Sequence, residues 1–491
     1  MKTTHPTLRF GALTTLPLLA AVAAQAASAK QLNVLIITTD QQTYNMMSIE
    51  GTKPLSTPAM DRLAREGYRF RKAYCINPVS MPSRFALYTG HYSSEVGVKE
   101  NTHAMDMQKT IDIAASDGMG NLFRKAGYET VYSGKVHLYG KFSMITSSSY
   151  GFKQYGTDAY EGPVEFAQEF FAKRKASDKP FLAVVSFLNP HDICEQAGIG
   201  RNPTTLKNAE AIRLLEVQRS LSPAEYAAQI PPMVPNTAII NGEQPAWVEM
   251  DTKSRSWNAQ EWSLYRWLYY RLTESVDNQI GRVLDALYAS PAADNTIIVL
   301  TADHGDMQGA HGLSLKNVPF EECQRIPLVI CGPCIKKGVA DDNTLVCNGL
   351  DLIPTICSLT GVQCSGTLPG ISLSGLITGQ GAAPKRDCIY TETYNSFQIN
   401  DGRYKYTVFE LPGNPEMLVD LQTDPGELKN LADVASAKAV KVALKDKLMK
   451  NLSSRGLLPL NTNRTLEFIR KRDAQSMKAA GKKVGGGGGE E

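Results

Sequence analysis

Uninterrupted apolar runs recur along the chain, and most of them end in polar residues. Residues 33–39 (NVLIITT), 181–188 (FLAVVSFL) and 296–301 (TIIVLT) are rich in aliphatic and β-branched side chains, and residues 327–330 (PLVI) form a shorter run. Runs of this kind without polar alternation are typical of parallel strands that are covered on both faces. The pattern therefore predicts buried central strands at these positions.

Helical patterns lie between these runs. In residues 57–67 (TPAMDRLAREG), Met60, Leu63 and Ala64 share one face, and Gly67 provides a stop signal. Strands that alternate with helices predict an α/β fold with a large doubly wound, mixed or parallel sheet flanked by helices. Residues 202–255 are rich in Pro and weakly periodic, and we interpret them as a long insertion.

The pattern changes near residue 387. Short strand-like segments at 388–393, 397–400, 403–410 and 417–421 precede a helical segment at 435–452. This order predicts a smaller C-terminal α+β subdomain with an antiparallel sheet. The chain ends in a Gly-rich segment (476–491) that is too polar and small in its side chains to form a core.

The N-terminal segment has the composition of a secretory signal. Lys2 and Arg9 precede an apolar stretch at about residues 11–24, and small residues at 27–29 (ASA) follow it. The stretch is too short to span a bilayer as a mature helix, and no later run reaches about twenty apolar residues. We therefore predict a signal peptide at 1–29, a periplasmic or secreted protein, and no stable membrane span.

Charge and cysteine content exclude several classes of protein. The 52 basic and 49 acidic residues nearly cancel, and no basic block is interleaved with aromatic residues, so nucleic-acid binding is not predicted. Nine cysteines are an odd number, and their distribution does not suggest a disulfide framework. Cys331 and Cys334 form a Cys-x-x-Cys pair, but the pair follows a predicted strand and encloses Gly-Pro, which favours a turn over a zinc or redox site.

Polar residues of catalytic type follow three of the predicted strands. Asp40 and Gln41 follow the first, residues 189–192 (NPHD) follow the second, and Asp303 and His304 follow the third. In open α/β sheets, ligands bind outside the carboxyl ends of the strands. The three strand ends are therefore expected to contribute to one shared site.

The most specific motif is SMPSRFALYTG at residues 80–90. It resembles the signature of the formylglycine-dependent type I sulfatases of the alkaline phosphatase superfamily, in the serine-type form. The resemblance implies that a radical-type maturase oxidises Ser80 to formylglycine (3-oxoalanine), whose hydrated aldehyde is the nucleophile. A geminal diol can expel sulfate by collapsing to the aldehyde, whereas a serine hydroxyl would leave a stable ester. Arg84, one helical turn after Ser80, would hold the diol and offset its charge.

The same resemblance implies a metal site. Asp40, Gln41, Asp303 and His304 fall at the family's metal-binding positions, and the segment TADHGDMQGAHG at 301–312 is similar to its second metal motif. Oxygen ligands favour a hard cation, so Ca²⁺ is expected, with Mg²⁺ as the alternative. Gln41 departs from the commoner Asp and lowers the negative charge of the site.

Further catalytic and substrate-binding residues follow from the resemblance. In GKVH at 134–137, Lys135 would bind sulfate oxygens and His137 would accept the proton of the second hydroxyl, and alternation in an extended segment would place both on one face. His191 and Lys316 would protonate or stabilise the leaving oxygen. The predicted catalytic set is Ser80, Arg84, Lys135, His137, His191 and Lys316, and the predicted substrate-binding set is Lys135, His191, His311 and Lys316.

These features together predict an exported sulfatase that acts on a sulfated carbohydrate. The expected organisation is a catalytic domain at 30–386, a C-terminal subdomain at 387–475 and a flexible tail at 476–491, after the signal peptide. Two alternatives stay open: a phosphonate or phosphodiester hydrolase on the same scaffold, and an exported glycan-binding protein in which unmodified Ser80 leaves the site inactive. A serine at this position is also compatible with a substitution that traps an inactive enzyme.

Overall fold

The computed structural model describes residues 31–101, 106–138, 147–156, 159–194, 209–237, 254, 257–364, 366, 368–381 and 384–462. The predicted signal peptide, the predicted tail and part of the predicted insertion lie outside these residues. Within the described ranges, none of the helices has both the length and the apolar character needed to cross a membrane.

The strands form a large sheet, a short pair and a small sheet. In chain order they are β1 (Asn33–Asp40), β2 (Gly67–Phe70), β3 (Ala73–Tyr74), β4 (Glu129–Gly134), β5 (Lys153–Tyr155), β6 (Phe181–Pro190), β7 (Thr296–Ala302), β8 (Leu328–Cys331), β9 (Val339–Asp341), β10 (Val346–Cys347), β11 (Ile389–Glu392), β12 (Ser396–Asn400), β13 (Tyr404–Phe409) and β14 (Glu416–Asp420). The large sheet has the order β5-β4-β6-β1-β7-β8-β2-β9. Strand β8 runs antiparallel to both of its neighbours, and the other pairs are parallel. The predicted mixed α/β sheet is confirmed.

Helices cover both faces of this sheet. In chain order they are α1 (Pro58–Glu66), α2 (Ser80–Thr89), α3 (Met107–Asp117), α4 (Met119–Lys125), α5 (Gly162–Ala172), α6 (Ala209–Ser220), α7 (Pro223–Gln229), α8 (Ala259–Tyr288), α9 (Glu321–Gln324), α10 (Asn348–Thr360), α11 (Ser374–Thr378) and α12 (Lys438–Ser454). Every residue of β1 and β7 is buried. Val34 and Ile36 pack into a core that includes residues of α2 and α10, whereas Leu35 and Ile37 pack into a core that includes residues of α1 and α8. This double cover explains why the central strands are apolar at successive positions.

The region interpreted as an insertion contains α6 and α7. The start of α7 has a capping box, in which the Ser222 hydroxyl accepts from the Glu225 backbone and the Glu225 carboxylate accepts from the Ser222 backbone. Pro223 occupies the first turn, where it costs no hydrogen bond. The weak apolar periodicity concealed both helices, but the sequence SPAE at 222–225 was a local signal for one of them.

Strands β11 to β14 form the predicted small antiparallel sheet in sequence order. Leu444, Leu448 and Leu452 of α12 pack against side chains of this sheet, including Phe397 and Tyr406. The predicted strand limits agree with the observed ones within one or two residues. The antiparallel sheet and its helix are therefore confirmed, and the exact domain boundaries stay a prediction.

Candidate active site

The candidate site lies at the carboxyl ends of four neighbouring parallel strands. Strands β4, β6, β1 and β7 are adjacent and parallel. Asp40 pairs with Pro190 in the sheet, the backbone of Lys135 donates to Ser186 O, and the backbone of Asp303 donates to Thr39 O. The sheet register thus brings residues more than 200 positions apart in sequence to one edge, as the strand-end pattern predicted.

Arg84 connects two of these strand ends. Its Nε donates to Asp303 Oδ2 and its Nη2 donates to Asp40 Oδ2, each at 2.9 Å. Its Nη1 donates to Ser186 Oγ at 2.8 Å and to the Lys135 carbonyl at 3.0 Å. The side chain is fully buried. Planar guanidinium geometry allows one side chain to satisfy several acceptors in this way.

Asp40 and Asp303 have opposite pKa shifts. Burial alone would raise the pKa of Asp40, but the charges of Lys135 and Arg84 outweigh burial and hold this pKa well below its ordinary value. Burial and the negative charge of Asp40 raise the pKa of Asp303 to about 6. Asp40 therefore carries the firmly ionised carboxylate of this pair.

Ser80 is the first residue of α2, and its hydroxyl faces His304. Ser80 Oγ lies 3.1 Å from His304 Nε2, and His304 Nδ1 lies 3.0 Å from the carbonyl oxygen of Gly305. Because a carbonyl oxygen only accepts, Nδ1 carries the proton and Nε2 presents a lone pair. Burial and the nearby Lys316 hold the pKa of His304 well below its ordinary value, which keeps the ring neutral. Ser80 Oγ–H can therefore donate to Nε2.

Asp40, Asp303 and His304 form a donor set that fits a divalent cation. Each offers a ligand atom, these atoms lie within 4.8 Å of one another, and all three residues are buried. Asp40 Oδ1 is buried and has no hydrogen-bond partner in the described part of the chain. A buried carboxylate oxygen without a partner is costly, and a bound cation would offset that cost. Two carboxylates and a neutral imidazole are suitable ligands for such an ion.

Gln41 joins the cluster through its side chain and its backbone N–H. Its backbone N–H donates to Asp303 Oδ1 at 3.0 Å, and its side-chain Nε2 donates to Asp306 Oδ2 at 2.8 Å. Its Oε1 accepts from Lys316 Nζ at 2.6 Å. The backbone φ of 67° is unusual for a residue with a side chain and turns Gln41 away from the strand direction.

Lys135 and His137 lie close to the carboxylates, but not in an extended segment. Lys135 Nζ is 2.6 Å from Asp40 Oδ2. Strand β4 ends at Gly134, which has a φ of 93°. A Cβ atom at this position would lie only 2.1 Å from Ser186 O, so both the backbone conformation and the available space require glycine. His137 has a φ of 41°. The predicted extended segment is not observed, because strand β4 ends before Lys135 and His137 has a positive φ.

His137 and His191 are both neutral imidazoles in this environment. Burial and the charge of Lys135 lower the pKa of His137 to about 4, and its Nδ1 is buried without a hydrogen-bond partner among the described residues. Burial and the charges of Lys135 and Lys316 hold the pKa of His191 well below its ordinary value. Both rings are therefore unprotonated at neutral pH.

The structure does not bring His311 to this cluster. The ring is 0% exposed and stacks on Phe320, with the ring centroids 3.9 Å apart and the planes at 16°. Its backbone N–H donates to Asn236 O, and its nearest ligand-type neighbours are Glu322 and Glu427. Hydrogen bonds or ion pairs join the other predicted site residues except His137 and His191, whose pKa values are lowered by burial and by the charge of Lys135. His311 occupies a separate environment.

Several residues of the cluster were not singled out from the sequence. Asp306 accepts from Gln41 and, at 2.8 Å, from the Tyr265 hydroxyl, and burial raises its pKa to about 6. Ser186 accepts from Arg84, and Ser83 donates its hydroxyl to the Asp303 carbonyl. Asp306 lies within the metal-motif segment 301–312, and Ser186 is the one hydroxyl residue in the apolar run 181–188. The sequence therefore contained a weak indication that both could belong to the site. Tyr265 left none, because its position depends on the packing of α8.

Comparison with known families identifies matches over most of the chain. The sequence model of the family described as Sulfatase matches residues 32–362. The model described as N-sulphoglucosamine sulphohydrolase, C-terminal, matches residues 309–454. These two ranges include every predicted site residue.

Individual proteins are similar over comparable lengths. The Delta 4,5-hexuronate-2-O-sulfatase of Bacteroides thetaiotaomicron is 29% identical over 433 residues, which cover 84% of this chain and 87% of that protein. The N-acetylglucosamine-6-O-sulfatase of the same organism is 25% identical over 470 residues, which cover 82% and 83%.

Solved structures share the fold. A 2-O GAG sulfatase superposes with a TM-score of 0.71 at 26% identity and covers 87% of this chain and 93% of its own. The phosphonate monoester hydrolase of Agrobacterium radiobacter superposes with a TM-score of 0.65 at 24% identity and covers 87% and 96%. The second similarity concerns the fold alone.

Proposed function

The chain belongs to the sulfatase family and is a sulfuric ester hydrolase, and from this premise we propose that a formylglycine derived from Ser80 and a bound divalent cation act together on a sulfated carbohydrate. The observation that carries the proposal is the 3.1 Å separation of Ser80 Oγ and His304 Nε2 beside the buried carboxylates of Asp40 and Asp303. The proposed nucleophile therefore lies beside the proposed ligands of the cation.

The modification of Ser80 requires a radical-type maturase as a partner, which removes two hydrogens from the side chain. Formylglycine supplies a hydrated aldehyde as the nucleophile and so avoids a stable sulfate ester at this position. Arg84 contributes by orientation, because its contacts with Asp40 and Asp303 fix both carboxylates beside residue 80. The Ser186 hydroxyl fixes the guanidinium in turn.

The proposed ligands of the cation are Asp40, Gln41, Asp303 and His304. A divalent cation, for which Ca²⁺ is the first choice and Mg²⁺ the alternative, would neutralise charge on the sulfate oxygens. Support comes from the free Oδ1 of Asp40 and the lone pair on His304 Nε2. Gln41 is the weakest ligand of the set, because its Oε1 already accepts from Lys316 Nζ.

The basic residues around the cluster have distinct proposed tasks. Lys135 Nζ would leave Asp40 Oδ2 for a sulfate oxygen. His137, with a pKa of about 4, is neutral at working pH and would take the proton from the second hydroxyl at residue 80. His191 and Lys316 would stabilise the leaving oxygen. A bound sulfate would offset the Lys135 and Lys316 charges that depress the pKa of His191, and so allow this ring to hold a proton.

The carbohydrate part of the proposal draws support from the relatives, whose names describe sulfatases of hexuronate, N-acetylglucosamine and GAG substrates. The proposed organisation is that predicted from the sequence: a signal peptide at 1–29, a catalytic domain at 30–386, a C-terminal subdomain at 387–475 and a tail at 476–491. The protein would act in the periplasm or outside the cell, after export.

The test is a release assay with the chain coexpressed with a radical-type maturase. Sulfate release is measured over a panel of sulfated mono- and oligosaccharides and an aryl sulfate, with an aryl phosphonate in parallel. We expect release from at least one sulfated sugar and much slower turnover of the phosphonate. Faster phosphonate turnover would favour the alternative hydrolase. Binding of sulfated glycans without release by fully modified protein would favour the glycan-binding alternative.

A further inference from the structure

A second cluster of ligand-type side chains lies outside the candidate active site. His311, Glu322 and Glu427 each offer a ligand atom, and these atoms lie within 4.8 Å of one another. The three residues come from separate segments: the loop after β7, helix α9 and the turn that follows β14. The cluster therefore exists only in the folded chain.

His311 is the member that points to a ligand. It is 0% exposed, and neither of its ring nitrogens has a hydrogen-bond partner in the described structure. A neutral imidazole has one N–H donor and one lone pair, and leaving either group unsatisfied in the interior is unfavourable. The stacking on Phe320 and the backbone hydrogen bond to Asn236 O hold the ring in place. The fixed ring keeps one of these nitrogens within 4.8 Å of a carboxylate oxygen of Glu322 and of Glu427.

The carboxylates retain capacity for a cation. Glu322 Oε1 accepts from Asn236 Nδ2 at 2.7 Å, whereas Glu322 Oε2 is buried and has no partner among the residues described. Glu427 Oε2 accepts from the backbone of Glu321, and its Oε1 lies 2.8 Å from Lys405 Nζ. Among the described residues, Glu322 Oε2 therefore has no partner, whereas Glu427 Oε1 has a remaining lone pair beside its contact with Lys405.

The cluster contains more acidic than basic side chains. Glu321, Glu322 and Glu427 face two cations: Lys405, which is 0% exposed, and Arg325, whose Nη1 is 3.8 Å from Glu321. Burial raises the pKa of Glu427 to about 8, with the charges of Glu321 and Glu322 adding to this shift and Lys405 opposing it. Glu427 therefore holds a proton near neutral pH, and a bound cation would take the place of this proton.

We propose that His311, Glu322 and Glu427 bind a second divalent cation, of the zinc class, which accepts one imidazole nitrogen together with carboxylate oxygens. Glu322 also lines a cavity of about 670 Å³, whose wall includes Asn236 and Arg325. This cavity gives the ion a route of entry and room for a water ligand. The site is distinct from the Asp40 cluster and does not depend on the proposed catalytic mechanism.

The cation would fasten the C-terminal sheet to the catalytic loop. The loop that carries His311 also carries Asp303, His304 and Lys316, and Glu427 belongs to the segment that follows β14. A bond from the ion to each side would hold this loop against the small sheet. The role is structural, since none of the three ligands touches the Ser80 cluster.

The test measures the metal content of the full-length chain by mass spectrometry, after loading with Zn²⁺ and dialysis into metal-free buffer. The variants are His311→Gln and Glu322→Gln, and the matched control is Asp40→Asn at the other cluster. We expect both cluster variants to hold about one zinc per chain less than the parent protein, and Asp40→Asn to keep the zinc bound at His311, Glu322 and Glu427. Far-UV circular dichroism identifies any variant that fails to fold.

An anomalous diffraction map recorded at the zinc edge on the parent protein makes the test independent of variant folding. Density between His311 and Glu427 supports the proposal. The proposal is overturned if the dialysed parent protein retains no zinc, if the zinc lies only at Asp40 and His304, or if both folded cluster variants retain as much zinc as the parent.

Discussion

Arg84 Nε donates to Asp303 Oδ2 at 2.9 Å, although the two residues are 219 positions apart in sequence. The same guanidinium also donates to Asp40 Oδ2, so the buried Arg84 side chain connects the ends of β1 and β7 to the helix that begins at Ser80. Removing one partner of a buried ion pair leaves an uncompensated buried charge. The resulting loss of stability is larger than the net stabilisation that the intact pair provides. The nucleophile, the carboxylates and the strand ends are therefore coupled through Arg84.

Replacing Arg84 by Lys tests this coupling. Lys keeps the charge but cannot donate to both carboxylates and to Ser186 at once. We expect the free energy of unfolding to fall by about 3–5 kcal/mol and kcat/KM to fall on the order of 100-fold. Denaturant unfolding and sulfate release measure the two effects. Arg282→Lys is the control, because Arg282 pairs with Glu161 at the surface, and its change should stay within about 0.5 kcal/mol. Equal effects of the two substitutions would contradict the coupling.

His137→Ala tests the assigned proton acceptor. Because the pKa of His137 is about 4, the ring is deprotonated above that pH, and kcat/KM of the matured enzyme should fall only as the pH drops toward 4. The variant should lose this acid limb and show a plateau lower by about 10²–10⁴-fold. The pH profile is recorded with saturating Ca²⁺. An unchanged acid limb in His137→Ala would assign the proton transfer to another group.

The ends of the central strands could be predicted from the sequence because the signal is local. A strand covered on both faces must be apolar at successive positions, so the polar residues Asp40 and Asp303 marked where β1 and β7 leave the core. The motif at 80–90 likewise marked the start of α2. Parallel strands then bring their carboxyl ends to one edge without further information.

Other features depend on contacts between distant segments, and the sequence could not show them. The side-chain oxygen of Gln41 faces Lys316, which is 275 positions away, and the backbone of Gln41 is left-handed. His137 has a positive φ that its motif does not encode. His311 lies within a catalytic-type motif, yet Phe320 and the C-terminal segment place it in a different environment.

Gln41→Glu tests the hydrogen bond between Gln41 Nε2 and Asp306 Oδ2, which is 2.8 Å long. In the variant a carboxylate oxygen replaces the donor. Asp306, with a pKa of about 6, is protonated below that pH and can donate to Glu, but above it the two carboxylates repel. The loss of unfolding free energy should therefore grow as the pH rises through about 6, by roughly 1–2 kcal/mol.

Gln108→Glu is the control for this substitution. Gln108 donates to Asp112 one turn further along the exposed surface of α3, at the same 2.8 Å distance. On an exposed helix a like-charge pair costs only about 0.2–0.5 kcal/mol. If Gln41→Glu cost no more than Gln108→Glu across pH 5 to 8, the buried pair at Asp306 would not behave as described.

Asp277→Asn tests a carboxylate that supports α1. Asp277 accepts from the backbone of Ala59 at 3.1 Å and of Met60 at 2.8 Å, and burial raises its pKa to about 6. Because the folded state binds this proton more tightly than the unfolded state, the contribution of Asp277 to stability decreases as the pH rises from about 4 to 6. The stability of the parent protein relative to Asp277→Asn should fall over this interval, by up to about 3 kcal/mol. Denaturant unfolding at several pH values measures it, and a difference that rises with pH would contradict the assignment.

The most direct measurement of the central claim pairs the mass of the peptide that contains Ser80 with the rate of sulfate release from the same preparation. Preparations made with increasing amounts of maturase should lose two hydrogens at Ser80 in an increasing fraction of chains, and the rate should rise in proportion, with Ser80→Ala inactive throughout. A rate that is independent of the modified fraction, or fully modified protein that releases no sulfate from any sulfated sugar, would contradict the claim.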